Sequence, residues 1–211
     1  MKYKLSFSSG ALLIPESIKV MELYARLGDW EEVKEQCLAN NLLQKQTAAS
    51  SKRMLREIRF RLSGLTDQQR ALLLSSGYED QVRILYLGVC KYYKFIRDFI
   101  LEIIRNKVLT FDTILSRVDY DRFVDYKMES HPELAAISES SGIKLRTVIW
   151  RMLGEVGLLE STQTGIIIPF MLSEELVKVI VDDNPEWLKV FLLPDRDIER
   201  LVVKYDAKQQ E

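Results

Sequence analysis

Several residue types are scarce in this chain of 211 amino acids, and each scarcity excludes a class of site. There is one histidine, His131, and the two cysteines, Cys37 and Cys90, lie far apart in the sequence. Neither a zinc site nor a Ser-His-Asp triad is therefore predicted. The nine glycines are scattered and form no phosphate-binding loop, so no cofactor is predicted. Each cysteine lies in an apolar helical pattern, which favours a buried thiol; a disulfide between them is the alternative.

Long apolar runs are also missing. The most apolar stretch, residues 95–104, contains Arg97, Asp98 and Glu102, and so it cannot span a bilayer. The first ten residues are too polar and too few for a signal peptide. We therefore expect a cytoplasmic protein that has no membrane partner.

The chain as a whole has no excess of one charge sign, but two of its segments do. The 30 Lys and Arg residues nearly balance the 31 Asp and Glu residues, which leaves a formal net charge of −1. A nucleic-acid footprint must therefore be local. Residues 44–62 carry six cations and one acid, a net charge of +5, whereas residues 173–211 carry a net charge of −4. This polarity indicates one surface for nucleic acid and another for a protein partner.

The periodicity of apolar residues predicts a mainly α, multi-helix protein with helix-turn-helix-like units and a small, wing-like β-hairpin near residues 157–170. We expect three regions. Residues 1–110 form a helical domain with a basic helix-turn-helix-like unit. Residues 111–172 form a helical region that resembles a winged helix. Residues 173–211 form an acidic helical segment.

The first candidate site is the basic block that ends in the helix "SSKRMLREIRFRL". On a helical projection the cations form one stripe opposite an apolar side, and hydroxyl groups precede them, where a helix start favours phosphate. Cations with one acid among them are less usual for a plain solvated face, where signs tend to alternate. The alternative is a structural helix whose cations pair with acids elsewhere in the chain. The candidate DNA-binding residues here are Lys45, Ser51, Lys52, Arg53, Arg56 and Arg59.

The second candidate site is the segment 144–156, which we expect to follow a short helix at 134–138 and a turn at 139–142. Its projection places six apolar residues on one arc and Lys144, Thr147 and Arg151 on the opposite stripe. Such a stripe suits phosphate and base-edge contacts, and it equally suits an ordinary solvated face.

Four long blocks of the sequence resemble the BrxA family of BREX phage-defence systems. They are "PESIKVMELYARLGDWEEVKEQCLANNLLQKQTAASSKRMLREIRFRL", "YLGVCKYYKFIRDFILEIIRNK", "KLRTVIWRMLGEVGLL" and "IIIPFMLSEEL", in that order. The resemblance as a whole covers about residues 5–176. The resemblance implies a helical, cytoplasmic protein with a fold similar to NusB-type antitermination factors. It also implies binding to double-stranded DNA beside a methyltransferase and other BREX components.

The predicted function is therefore non-enzymatic and largely sequence-independent binding of double-stranded DNA, with no small-molecule substrate. Two alternatives stay open: a protein–protein adaptor of the defence complex, and an RNA-binding protein of the NusB type. An enzyme is the least favoured class. Asp121, Asp125 and Glu129 share a helical face that could hold a metal ion, but basic residues interleave with them, and a solvated acidic face is the simpler interpretation.

Overall fold

The computed structural model describes residues 2–7 and 10–208, and most of these residues are helical, which confirms the predicted mainly α class. The Cα positions group the chain into two compact units. Residues 12–92 form the smaller unit, and the other described residues form the larger unit. The three regions expected from the sequence, 1–110, 111–172 and 173–211, stay a prediction.

The smaller unit consists of helices with strong local start signals. Asp29 accepts hydrogen bonds from the backbone N–H groups of Glu31 and Glu32, and Thr66 and Gln69 form a capping box. The helices are α1 (Ile14–Leu27), α2 (Trp30–Ala39), α3 (Ala48–Ser63), α4 (Asp67–Ser75) and α5 (Tyr78–Tyr92).

Close contact between α3 and α5 depends on Gly88. A Cβ atom at this position would lie 2.8 Å from the backbone oxygen of Arg61, which is closer than real Cβ contacts. A side chain on α5 would therefore force the two helices apart. This contact holds α3 with its apolar side inward, and so it fixes which side of α3 faces solvent.

The larger unit is built around aromatic side chains. Tyr93 has an extended backbone that separates α5 from α6. Phe99 lies against Tyr120, Phe123 and Trp150 with ring centroids 5.2–6.0 Å apart. The helical segments are α6 (Lys94–Phe99), a π-helical turn (Ile100–Ile104), α7 (Arg105–Leu109), α8 (Arg117–Met128), α9 (Pro132–Ala135), α10 (Glu139–Glu155), α11 (Glu174–Val181), a 3₁₀ helix (Pro185–Phe191) and α12 (Asp195–Lys208).

The predicted β-hairpin at 157–170 is wrong. Within residues 2–7 and 10–208 there are two isolated antiparallel bridges, Leu159 with Ile167 and Ile114 with Ile166, and no sheet. The N–H groups of Leu158 and Leu159 donate to the oxygen of Leu153, because they close the end of α10. The pairing of residues 158–160 with residues 166–168 is therefore limited to one bridge and two hydrogen bonds, from Glu160 to Ile166 and from Ile168 to Leu158.

Residues 165–167 also pair with a third segment, residues 113–115, which limits the predicted hairpin further. The N–H of Leu115 donates to the backbone oxygen of Gly165, and the N–H of Ile167 donates to the backbone oxygen of Thr113, both at 2.8 Å. Two positions later stands Pro169, which has no N–H and cannot continue this pairing. The apolar residues that suggested two strands are therefore shared between three short segments.

The predicted turn at 139–142 is also wrong. Ser138 caps α10 by accepting a hydrogen bond from the N–H of Ser141, so residues 139–142 form the first helical turn. The connection between α9 and α10 consists of residues 136–138. A serine-rich stretch suits a turn and a helix start equally well, and here the capping hydrogen bond decides.

Candidate functional site

Helix α3 begins and ends as its sequence requires. The hydroxyl of Thr47 accepts a hydrogen bond from the N–H of Ser50 at 3.2 Å and thereby caps the helix. Leu55, Ile58 and Leu62 are buried, which confirms the predicted packed side. The opposite side is therefore presented to solvent by the core contacts and not by the charges themselves.

Three cations on that side are exposed and have no ion-pair partner among the described residues. They are Lys52, Arg53 and Arg56, which we call the α3 basic face. Their spacing places them on adjacent turns of one helix. Since no described acid compensates them, they carry a local charge of +3 that is available to an anion.

The other basic residues of the block are placed differently. Arg61 is 2% exposed and its Nε donates to the carboxylate of Glu57, 5% exposed, at 2.7 Å. The two charges neutralise each other within the core, so Arg61 has a structural role and is not part of the exposed basic surface. Lys45 lies 3.6 Å from the carboxylate of Glu16. Ser51 is 3% exposed, and so its hydroxyl does not belong to the exposed surface that the sequence predicted for it.

Arg59 lies at the edge of the α3 basic face and contacts α2. Its guanidinium donates to the carboxylate of Glu31 at 3.0 Å and lies over the ring of Trp30, 5.5 Å from the centroid. Lys34 donates to the same carboxylate at 2.6 Å. Lys34 and Arg59 together hold the pKa of the Glu31 carboxyl below its usual range, so Glu31 stays ionised.

A groove of about 710 Å³ runs between α2 and α3. The α3 basic face forms part of its wall, and apolar and aromatic side chains, including Trp30, Leu55 and Phe60, form another part. Phe60 is 38% exposed, and its ring stacks on that of Tyr92 with the centroids 5.2 Å apart. The groove therefore combines uncompensated cations with a supported aromatic surface.

Helix α10 of the larger unit presents the second candidate stripe. Lys144, Thr147 and Arg151 are exposed, whereas the six apolar residues of the opposite arc are buried as predicted. The Thr147 hydroxyl donates to the backbone oxygen of Ile143, and Arg151 lies 3.6 Å from the carboxylate of Glu155. Lys144 has no ion-pair partner among the described residues, so this stripe offers one free cation against three on α3.

Six of the nine predicted residues lie in the smaller unit, and the three α10 residues lie in the larger unit. Sequence reasoning did not include Trp30, Lys34 or Phe60. The spacing of α2 and α3 alone could not show that they line one groove, although the stretch "DWEEVK" places an aromatic residue and a cation on one side of α2.

Other chemistry has little support among residues 2–7 and 10–208. No group of three or more His, Cys, Asp and Glu side chains could hold a metal ion there. Cys37 and Cys90 are buried free thiols, as the apolar pattern predicted. In the same residues, no helix has the length and apolar character needed to cross a membrane.

Comparison with known proteins assigns a family to the sequence. The family model described as BrxA matches residues 1–184. A BREX protein BrxA from Escherichia coli O9:H4 is 26% identical over 152 residues, which cover 72% of this chain and 71% of that protein. The BREX protein BrxA from Paramagnetospirillum magneticum is 20% identical over 89% of this chain and 94% of that protein. The protein of that name from Bacillus cereus is 26% identical over 75% and 80% of the respective chains.

A solved structure supports the fold independently. The crystal structure of an uncharacterized protein from Magnetospirillum magneticum superimposes with a TM-score of 0.79 at 20% identity. The match covers 91% of this chain and 98% of that chain. At this identity the likeness concerns the fold.

Proposed function

The chain belongs to the BrxA family of BREX phage-defence systems, and from this premise we propose that it is a non-enzymatic protein that binds double-stranded DNA in the cytoplasm. The single observation that carries the proposal is the α3 basic face. Lys52, Arg53 and Arg56 are exposed cations with no described acid to compensate them, in a chain whose net charge is −1.

The chemistry of this face suits the DNA backbone. Phosphate contacts by Lys and Arg supply most of the sequence-independent affinity for duplex DNA, because they release condensed counterions. Lys45 and Arg59 are paired with exposed or half-buried acids, and such surface pairs stabilise a protein by only about 0–1 kcal/mol. Lys45 could therefore turn to phosphate at little cost, whereas Arg59 is also held over the ring of Trp30. Binding would consequently be strong at low salt and indifferent to sequence.

Helix α10 would add a weaker contact. Lys144 and Arg151 lie on an exposed stripe whose helix is anchored by buried side chains, including Ile149 and Met152. A rigid helix with exposed cations is suited to a groove or to a phosphate row. We treat this stripe as secondary because Arg151 faces Glu155 in the same helix.

The decisive experiment is a titration of duplex DNA at several salt concentrations. Replacing Lys52, Arg53 and Arg56 with alanine should weaken binding and reduce the log–log salt slope by about 0.9 for each lost phosphate contact, or about 2.7 in total. The matched control replaces Lys178, Arg196 and Arg200, three exposed cations near the acidic end, and should leave the slope unchanged. An unchanged slope in the first variant would refute the α3 site.

The α10 stripe is tested separately by Lys144→Glu combined with Arg151→Glu. Charge reversal removes attraction and adds repulsion toward phosphate, so affinity should fall similarly for unrelated duplexes. Circular dichroism and melting should stay near those of the unmodified protein, since both side chains are exposed. Undiminished binding would restrict the DNA site to the smaller unit. Competition by RNA at equal concentration tests the alternative of a NusB-type RNA-binding protein.

A second candidate function, holding a protein partner such as the BREX methyltransferase, is favoured by a different surface. A groove of about 380 Å³ between α8 and α10 is lined by Ile143 and other apolar side chains and by Asp121, Asp125 and Glu139. Asp125 and Glu139 have no ion-pair partner among the described residues. Such a rim repels phosphate and attracts a basic, apolar protein segment.

The two functions are separable by mutation. Asp125→Lys with Glu139→Lys should abolish binding to a co-expressed methyltransferase component while duplex binding stays the same or increases. If the double variant keeps both interactions, the acidic groove has no role in binding the methyltransferase.

A further inference from the structure

The groove between α2 and α3 is broader and more apolar than phosphate contacts alone require. Its volume is about 710 Å³, and its lining includes Trp30 and Phe60 beside the α3 basic face. In a regular duplex the bases are stacked inside the helix, so an apolar, concave surface gains little from them. Cations combined with planar side chains are instead the pattern that holds unpaired nucleotides.

Two planar groups in this groove are held by aromatic neighbours. Tyr92 stacks on the ring of Phe60 at an interplanar angle of 12°, and 38% of Phe60 is exposed. The guanidinium of Arg59 lies over Trp30, which in turn stacks on Tyr24 with centroids 4.3 Å apart. Each group is therefore supported on one side and fixed before a ligand arrives, which reduces the entropy lost on binding.

We propose that the groove between α2 and α3 binds an unpaired DNA base, which stacks on Phe60 and the Arg59 guanidinium while Lys52, Arg53 and Arg56 hold the adjoining phosphates. Bases stack on aromatic rings and on guanidinium planes without regard to sequence. The inference rests on the proposed DNA binding and makes it more specific: the protein prefers DNA in which a base has left the stack.

The spacing of charged and planar groups favours a nucleotide over the main rival occupant, an acidic peptide with an aromatic side chain. Glu31, which bridges Lys34 and Arg59, places a negative charge beside the planar groups, so an anion is repelled at that edge of the groove. A nucleotide places its charge on the phosphate, one sugar away from the base, so the base can occupy the planar region while the phosphate stays on the α3 basic face.

The test compares a perfect duplex with the same duplex carrying one bulged 2-aminopurine, in the full-length protein. Stacking contributes about 1–3 kcal/mol per base, so the bulged duplex should bind roughly 5- to 150-fold more tightly. Its 2-aminopurine emission should fall on binding, because stacking quenches the fluorophore. Equal affinity for the two duplexes, or unchanged emission, would overturn the inference.

Two conservative variants locate the effect. Arg59→Lys keeps the charge and the contact with Glu31 but loses the planar group, and Phe60→Leu keeps an apolar side chain but loses the ring. In both variants the ratio of the affinities for the bulged and the perfect duplex should fall to about one, whatever the affinity for the perfect duplex itself. Arg53→Lys is the control: because Arg53 is proposed to contact phosphate alone, this variant should still bind the bulged duplex more tightly than the perfect duplex. A preference that survives both groove variants would also overturn the inference.

The outcomes separate this inference from the broader function. Binding of the perfect duplex without a preference for the bulge refutes the base-binding groove and supports the DNA-binding function. Absence of binding to either DNA refutes both, and an acidic peptide would then be the occupant to consider.

Discussion

Removing one partner of the buried ion pair in α3 should destabilise the protein strongly. Replacing Glu57 with leucine leaves the guanidinium of Arg61, 2% exposed, without the carboxylate that now accepts its Nε–H at 2.7 Å. A buried charge that loses its partner costs about 3–5 kcal/mol of unfolding free energy. For a chain of this size that loss corresponds to a fall in melting temperature of roughly 6–20 °C.

A double variant distinguishes charge from packing. Glu57→Leu combined with Arg61→Met removes both charges and keeps apolar volume, so its stability should return to that of the unmodified protein or exceed it. Lys34→Ala is the exposed control: it breaks the pair with Glu31 in the same unit and should cost only about 0.2–1 kcal/mol. Thermal and urea unfolding followed by circular dichroism measure all three variants.

Two results would contradict this reasoning. A loss below about 1 kcal/mol in Glu57→Leu would mean that Arg61 reaches water or another acceptor easily. A double variant as unstable as the single one would mean that side-chain shape and not charge holds this site.

Three further predictions concern stability. Met152→Ala should cost about 2–5 kcal/mol because Met152 is 1% exposed, whereas Met171→Ala, at an 89% exposed side chain, should change the unfolding free energy by less than about 0.5 kcal/mol; equal effects would mean that α10 is rotated. Gly88→Ala should cost about 1–3 kcal/mol through its 2.8 Å approach to the Arg61 oxygen, and Gly77→Ala, with no atom within 4 Å of its Cβ, serves as the control; the reasoning fails if both are tolerated in urea unfolding. The N–H of Tyr3, which donates to Glu133 at 2.5 Å, lowers the pKa of that carboxyl from 4.5 to about 2. The stabilisation is therefore complete above about pH 4.5 and is lost as the pH falls toward 2. Glu133→Gln should reduce the loss of unfolding free energy between about pH 4.5 and 2. An unchanged pH dependence would show that the contact between Tyr3 and Glu133 does not cause this loss.

Several helix starts and the buried arc of α10 follow from the sequence because they depend on local signals. The capping residues Asp29, Thr66 and Ser173 each accept a backbone hydrogen bond, and the apolar arc of α10 is buried. Caps and 3.6-residue periodicity act within one or two turns, so a single sequence contains them completely.

The errors arose where hydrogen-bond donors had competing partners. "GLLESTQTGIIIPF" alternates like a hairpin, but its donors at Leu158 and Leu159 close α10 instead. The stretch "ESSG" has turn residues, but Ser138 converts it into a helical turn. In both places the local structure depends on which acceptor the backbone N–H groups find, and the types of residue in the stretch do not determine this.

The candidate site was predictable in its residue types but not in its groove. A helical projection identifies Lys52, Arg53 and Arg56 as neighbours, because all three belong to one helix. It cannot identify Trp30 as a wall of the same groove, since that requires the packing of α2 against α3. It also cannot tell that Ser51 turns inward while Lys52 turns outward, a difference of one residue, or about 100°, around the helix axis.

The ion pairs, and not the number of cations, show which basic residues are available to an anionic ligand. Residues 44–62 contain six cations, but Arg61 is neutralised in the core, and Lys45 and Arg59 face acids on the surface. The remaining three form the α3 basic face, and this division explains how a chain with a net charge of −1 can present a cationic surface. Surface pairs are weak and exchangeable, whereas the buried pair is not. If the protein binds DNA as proposed, Lys45 can therefore exchange a carboxylate for a phosphate, while Arg61 stays in the core and serves the fold alone.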